Sequence, residues 1–358
     1  METFDDVRVD RTALEDFITA LLTRGGAAED GARATARAVV DASARGFDTH
    51  GVRLATHYAA TLAAGRINPN PVLRFTRQAA AVGHLDADNG FGHLPSYRAI
   101  DEAIAMADEA GIAAVAVARS SHHGATGCYT MAAAQKGYAA IGMTHADAIV
   151  VLHDGVKPFH GTNPISFAMP VEGEEPMLLD MATSSIPLNR VFLRRATGHP
   201  LPPEVAVDEA GAVTTDPHKA TALLPLGGTT YGYKGAGLAA VVDVLCSAFT
   251  GMLHGAALPQ FAGPDLSQPA ELGHFFIVLR PDVFRPLAEI NGRMAAFLAD
   301  LRGQPAKPGT RVMAPGDPER PLQEDRRRHG IPVDLVTWDA LRDLAARHGC
   351  TIPEPMGR

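Results

Sequence analysis

The sequence predicts an α/β protein, and three observations predict it. Between about residues 75 and 280, short apolar runs alternate with longer stretches at helical spacing, the texture of layered strands and helices. The chain ends differ from this middle: the start is helical and Ala-rich, and the close is helical again after a Pro-rich stretch. Hydrophobic residues are 46% of the chain and charged residues 20%, a balance that buries a globular core.

The elements follow in order. Thr12 and Glu15 have the T-x-x-E spacing of a capping box. Leu14, Phe17, Ile18, Leu21 and Leu22 then share a helical face until Gly25 and Gly26 stop the turn. A second helix is predicted from about Ala28 to Arg45, ending at Gly46. The loop Asp48-Thr49-His50-Gly51 leads into a helical stretch carrying Tyr58 and Leu62. Two prolines within 66–71 mark a hinge or domain boundary. Strands are predicted at 80–85, 112–118, 139–144, 164–169, 177–179 and 275–279. Helices are predicted at 96–110, 126–136 and 238–249. After the Pro-rich segment 304–321, Trp338, Leu341 and Leu344 share one side of a last helix near Thr337 to His348.

Charge and composition exclude several classes. With 358 residues the chain is long enough for about two domains. Forty acids against 32 bases give a net charge of -8, the wrong sign for a sequence-independent nucleic-acid binder. The run Arg326-Arg327-Arg328 beside Glu324 and Asp325 reads as a solvated helix face. Three widely spaced cysteines, Cys128, Cys246 and Cys350, make neither a disulfide framework nor a zinc ribbon, so a reducing, cytoplasmic setting is expected. The acidic N-terminus has no apolar h-region, and the longest apolar runs fall far short of the roughly 20 residues a bilayer requires.

The usual signatures of nucleotide and hydrolase chemistry are missing. No G-x-G-x-x-G sits between a strand and a helix, and there is no Walker A, H-E-x-x-H or G-x-S-x-G. Three polar segments remain. In Asp48-Thr49-His50-Gly51 a histidine next to a hydroxyl suits acid/base work, or the segment is a capping loop with a surface histidine. In Ser121-His122-His123-Gly124, at the carboxyl end of a strand, His122 is the better candidate for a site and His123 for packing. In the segment 226–237, glycines and Lys234 run toward an apolar helix, suiting either an anion at a helix start or a flexible cap. Gly161-Thr162-Asn163-Pro164 is a tight turn, and Asp180-Met181-Ala182-Thr183-Ser184-Ser185 begins at a strand end, where Asp180 accepts hydrogen bonds from a ribose or fixes a loop.

Taken in order, THG, SHHG, GTNP, DMATSS, LLPLGG…KGAGLA and a late PGDPE resemble the malate/L-lactate dehydrogenase family of type 2, from about residue 10 to residue 350. The resemblance implies a non-Rossmann NAD(P)-binding fold with a largely antiparallel central sheet and a helical part built from both chain ends. It divides this chain into 1–72 with 285–358, and 73–284. It implies a homodimer, a small carboxylate substrate, NAD or NADP as cofactor and no metal. The reaction is hydride transfer to or from a 2-hydroxy or 2-oxo acid. By motif, His50 matches the proton donor and acceptor, with Thr49 where serine is usual, and His122 matches a second histidine. Thr144, Asp180, Met181, Ala182, Lys234, Gly316 and Asp317 match cofactor-contacting positions.

Two departures bear on the substrate. An arginine usually stands four residues after the motif histidine; here Leu54 stands there and Arg53 one place earlier. The imine reductases of the family have an aspartate several residues beyond DMATS; here that neighbourhood reads Ile186-Pro187-Leu188-Asn189-Arg190, with an arginine near the expected acid, placing reduction of a cyclic 2-imino acid second to 2-hydroxyacid chemistry. Arg53 and Arg190 are the candidates for the substrate carboxylate. Two readings of other classes are a metal-dependent hydrolase using His50, His122 and His145, and a nucleotide-binding homologue without turnover.

Overall fold

The computed structural model describes residues 6–356, so the first five residues of the acidic N-terminus lie outside the described residues. The chain begins with β1 (Asp6–Val9), α1 (Arg11–Arg24), α2 (Glu29–Ala44) and α3 (Ala55–Ala63), with two 3-10 turns, Asp48–His50 and Val52–Leu54, before α3. It continues through β2 (Arg74–Ala79), β3 (Val82–Asp86), α4 (His93–Ala110), β4 (Ile112–Ser120), α5 (Gly127–Ala134) and β5 (Ala139–Thr144). Next come β6 (Val150–Val151), β7 (Pro158–His160), β8 (Ile165–Met169), β9 (Met177–Met181), α6 (Leu188–Thr197), β10 (Ala206–Val207) and β11 (Ala222–Leu223). The last part holds α7 (Gly228–Cys246), β12 (Leu272–Leu279), α8 (Leu287–Arg302), α9 (Glu319–His329), β13 (Ile331–Asp334) and α10 (Leu335–His348).

A seven-stranded sheet in the order β2-β3-β4-β12-β5-β8-β9 forms the centre. β3 and β4 run parallel; every other neighbouring pair in it is antiparallel. β12, late in sequence, enters between β4 and β5. That register sets His274 opposite both Val117 and Thr144. Val115, Val117, Phe276 and Val278 on these inner strands are fully buried against Ile100, Ala103 and Tyr129 of α4 and α5. β-branched and aromatic side chains suit such a two-sided burial.

A second apolar cluster joins the two ends of the chain. Leu14, Ile18 and Leu21 of α1 and Val39 and Val40 of α2 pack with Ile331, Trp338 and Leu341 of β13 and α10. β1 pairs antiparallel with β13, which ties the ends by backbone hydrogen bonds as well. α8 packs elsewhere, with Leu298 against Val171 and Ala314.

Three sequence expectations are corrected. The N-cap of α1 is Asp10, whose carboxylate accepts from Ala13 N, rather than Thr12 in a capping box. The Gly-rich segment before Leu238 is helix, not loop: α7 starts at Gly228, after Gly227 at φ 99°. Its glycines permit close packing, since a Cβ on Gly235 would lie 2.3 Å from the Leu226 carbonyl oxygen. The arginine run is not uniformly solvated: Arg327 and Arg328 are exposed on Glu324, whereas Arg326 is buried.

Candidate active site

The site assembles where the 3-10 turn Asp48–His50 meets the exit of β4. β4 ends at Ser120, and the chain then turns through Ser121, His122, His123 and Gly124. The His50 and His122 rings stack with centroids 6.0 Å apart and planes 20° apart. Both are half-buried. His123 turns inward, is 1% exposed, and lies within hydrogen-bonding distance of Ser96 and Thr126.

Each ring is held at its Nδ1. Thr49 Oγ1 lies 2.9 Å from His50 Nδ1. Tyr58 Oη lies 2.8 Å from His122 Nδ1, and the Gly124 amide donates to that same nitrogen across 3.3 Å. An amide N–H only donates, so His122 Nδ1 carries no proton and accepts from Tyr58 as well. The proton of neutral His122 is therefore on Nε2. His50 is less constrained, because the Thr49 hydroxyl either donates or accepts.

Burial governs the charge of both rings. It lowers the pKa of His50. It lowers that of His122 further, with His50 and His57 as neighbouring imidazoles adding to the effect. Both are neutral imidazoles at pH 7.

The loop carrying His50 is clamped from α9. Arg326 forms a two-pronged ion pair with Asp48, at 2.5 Å and 2.9 Å, and its guanidinium also donates to the Ser43 carbonyl. Ser43 Oγ accepts from Val52 N at 3.0 Å, closing the other end of the loop. Gly51 has to be glycine here, since a Cβ would lie 2.0 Å from Ser43 Oγ.

A cavity opens beside His122, lined by His57, Tyr58, Arg66, Asp147, Phe261 and Leu272 among others. Phe261 stacks on His57 with centroids 3.9 Å apart and lies 4.6 Å from His122. Behind the site, His274 bridges Ser120 and Thr144 at 2.8 Å each, and its ring stacks on His123 at 4.2 Å. Among the described residues no three His, Cys, Asp or Glu side chains converge as a metal site would require.

Residues 9–342 match the family model described as malate/L-lactate dehydrogenase. The chain belongs to that family. The malate dehydrogenase of Pyrococcus abyssi is 33% identical over 350 residues, covering 96% of this chain and 95% of that protein. The ureidoglycolate dehydrogenase (NAD(+)) of Escherichia coli K12 is 30% identical, covering 91% and 93%. The (2R)-3-sulfolactate dehydrogenase (NADP(+)) of Chromohalobacter salexigens is 32% identical, covering 92% and 96%. The solved malate dehydrogenase of Entamoeba histolytica superposes with a TM-score of 0.92 at 28% identity, covering 98% and 100%. This chain is an NAD(P)-dependent 2-hydroxyacid dehydrogenase of that family.

Of the positions that family resemblance assigns to the cofactor, Thr144, Met181 and Ala182 lie close together. Met181 pairs with Ile165, and Ile165 pairs with Met143, so Ala182 and Thr144 come out at the same end of these strands. Gly316, at φ 94°, brings the Pro-Gly-Asp turn against Leu178 of β9. Beside it Glu319 Oε2 is buried with no hydrogen-bond partner, and Arg320 is ion-paired with Glu174. Asp180 accepts from Gly127 N at 2.8 Å, and burial raises its pKa to about 7. Asp317 is taken up by Arg302 at 2.8 Å and 2.9 Å. Lys234 stands apart, exposed on α7 with its ammonium over the Tyr231 ring at 5.1 Å. Arg53 and Arg190 are exposed and do not line the cavity.

Tyr58, Arg326, Arg66 and Phe261 hold or line the candidate site and were not singled out for it from the sequence. Tyr58 shares a helical face with Leu62 and reads as core, and it is 2% exposed. Its second role shows only once β4 delivers His122 to it.

Proposed function

We propose that the chain moves a hydride between C2 of a small 2-hydroxy or 2-oxo acid and NAD or NADP, with His50 as the acid/base and His122 as a neutral hydrogen-bond donor. The observation that carries this division is the pair of donors on His122 Nδ1, Tyr58 and the Gly124 amide. With Nδ1 filled, neutral His122 presents Nε2–H and has no lone pair free to take a proton. His50 keeps that option: with Nδ1–H directed to Thr49, its Nε2 is a free base.

The nicotinamide, when bound, accepts or supplies the hydride. Residues at the ends of β5 and β9 and in the Pro-Gly-Asp turn would hold the cofactor: Thr144, Asp180, Met181, Ala182, Gly316 and Asp317, with Lys234 from α7. In oxidation His50 Nε2 takes the hydroxyl proton as C2 gives up its hydride. His122 donates to the oxygen as it becomes a carbonyl, a neutral electrophile rather than a cation. In reduction protonated His50 returns the proton to the same oxygen. Arg53, three residues beyond His50 and without an ion pair among the described residues, is assigned to the 2-carboxylate, with Arg190 as the second cation.

The working unit of this reading is a homodimer in the cytoplasm. Tyr231, Tyr233, Val241 and Val244 leave α7 with an exposed apolar surface, and Phe249 just beyond it is 62% exposed. Light scattering on the purified protein distinguishes dimer from monomer. The three cysteines are unpaired, as a reducing compartment keeps them. No helix among the described residues is long and apolar enough to cross a membrane.

The deciding experiment is steady-state turnover of His50→Asn and His122→Gln. His50→Asn should lower kcat by roughly two to four orders of magnitude with cofactor binding intact. His122→Gln, which keeps a donor, should lose less. The reverse order would exchange the two roles.

A further inference from the structure

The cavity beside His122 carries information about the substrate's side chain, provided that hydride transfer occurs at His50 and His122 as proposed above. Its apolar wall is Ile67, Phe261 and Leu272. Its cation, Arg66, is 4% exposed and already engaged. Arg66 Nε donates to the Gln268 carbonyl at 3.0 Å, Nη1 to that of Gln260 at 2.9 Å and Nη2 to that of Asp265 at 2.6 Å. The guanidinium thus holds the loop 260–268 in place and spends most of its donors on backbone carbonyls. The other charged liner is an acid, Asp147, which accepts from Phe261 N at 3.1 Å. The remaining basic side chain, His57, is covered on one face by Phe261 and is neutral at pH 7, since burial and Arg66 lower its pKa to about 4.

We propose that this enzyme takes 2-hydroxy and 2-oxo acids whose side chain is uncharged and apolar, and that it discriminates against a second carboxylate or a sulfonate. An anionic side chain entering this cavity would lose its hydration and meet Asp147, while Arg66, tied to the 260–268 carbonyls, already faces that acid. An aliphatic or aromatic one would cover Phe261 and Leu272 and release water. The discrimination is built from both terms, an apolar wall that attracts one class and an acid that repels the other.

The test uses the unmodified protein and a matched pair of acids. In 4-methyl-2-oxopentanoate an isopropyl group stands where oxaloacetate has a carboxylate, at nearly equal shape. With NADH and NADPH in turn, kcat/KM should favour 4-methyl-2-oxopentanoate by about a hundredfold or more. Sulfopyruvate should fall with oxaloacetate. A preference for oxaloacetate or sulfopyruvate, or no preference, overturns the proposal and leaves the hydride chemistry standing. Turnover confined to pyruvate overturns it too, since the apolar wall would then receive no side chain. Silence with every acid, pyruvate included, removes the His50 and His122 reading and this proposal with it.

Discussion

The Tyr58 hydroxyl donates to His122 Nδ1 across 2.8 Å and, with the Gly124 amide on the same nitrogen, leaves the proton of that ring on Nε2. Tyr58 is buried and its pKa lies well above the usual tyrosine value because of that burial, so the hydroxyl keeps its proton at any working pH. Tyr58→Phe removes the stronger of the two donors and leaves the Gly124 amide. The expected result is a fall of about tenfold in kcat with a smaller change in cofactor binding, the worth of one hydrogen bond. Steady-state kinetics with calorimetric cofactor titration checks it. An unchanged kcat would mean that the amide alone holds the tautomer.

With His50 as the proposed acid/base, the pH dependence of oxidation follows from that ring. Burial lowers its pKa, so the base form persists below the ordinary histidine value near 6.5. Oxidation of a 2-hydroxy acid should be flat in kcat/KM above about pH 6.5 and fall on the acid side only as His50 gains its proton. Reduction should respond with the opposite sign, since it requires protonated His50. Profiles in both directions test the assignment. An acid limb that persists in His50→Asn would place the titrating group elsewhere.

Where the sequence anticipated the structure, a local pattern was enough. β5 is Ala139–Thr144 as predicted, a short run of small apolar residues after Gly137. The two histidine motifs were also local, polar loops at element ends, and the fold brings them together. The failures have long-range causes. β2 is almost wholly exposed, so no alternation marks it. α7 carries glycines that pack against Leu226 and Pro225, and a glycine serving close approach reads like one serving a turn. Arg326 is one of three consecutive arginines, and only α9 packing decides which of them faces Asp48.

The histidines behind the site predict acid lability. Burial lowers His93 and His274 to about 3 and His57 and His145 to about 4. The folded state therefore keeps them neutral while the unfolded chain takes protons near pH 6.5. Stability is full above that pH and is lost as pH falls from about 6.5 toward the folded values, by about 1.4 kcal/mol per pH unit for each such histidine. Urea unfolding at pH 7.5, 6.5 and 5.5 should show a midpoint that drops steeply below pH 6.5. His274→Gln should reduce that slope by about one proton. A midpoint constant over this range would refute the buried-neutral reading.

The Arg326 clamp gives a prediction about position rather than chemistry. Arg326 is 6% exposed and touches Asp48 and the Ser43 carbonyl, neither of which lines the cavity, so its effect on turnover has to pass through the His50 loop. Arg326→Met leaves Asp48 free to turn toward water and lets the 3-10 turn drift. A displacement of about 1 Å at a catalytic group costs on the order of a hundredfold in rate, so kcat should fall by about ten- to a hundredfold. Cofactor affinity should hold, because the strand ends that would receive it are untouched. General loss of structure would also lower kcat, and a second background separates the two causes. In His50→Asn there is no acid/base left to misplace. Adding Arg326→Met there should change residual turnover little if the arginine acts by positioning His50. An undiminished second loss would make Arg326 a structural residue of α9 and nothing more.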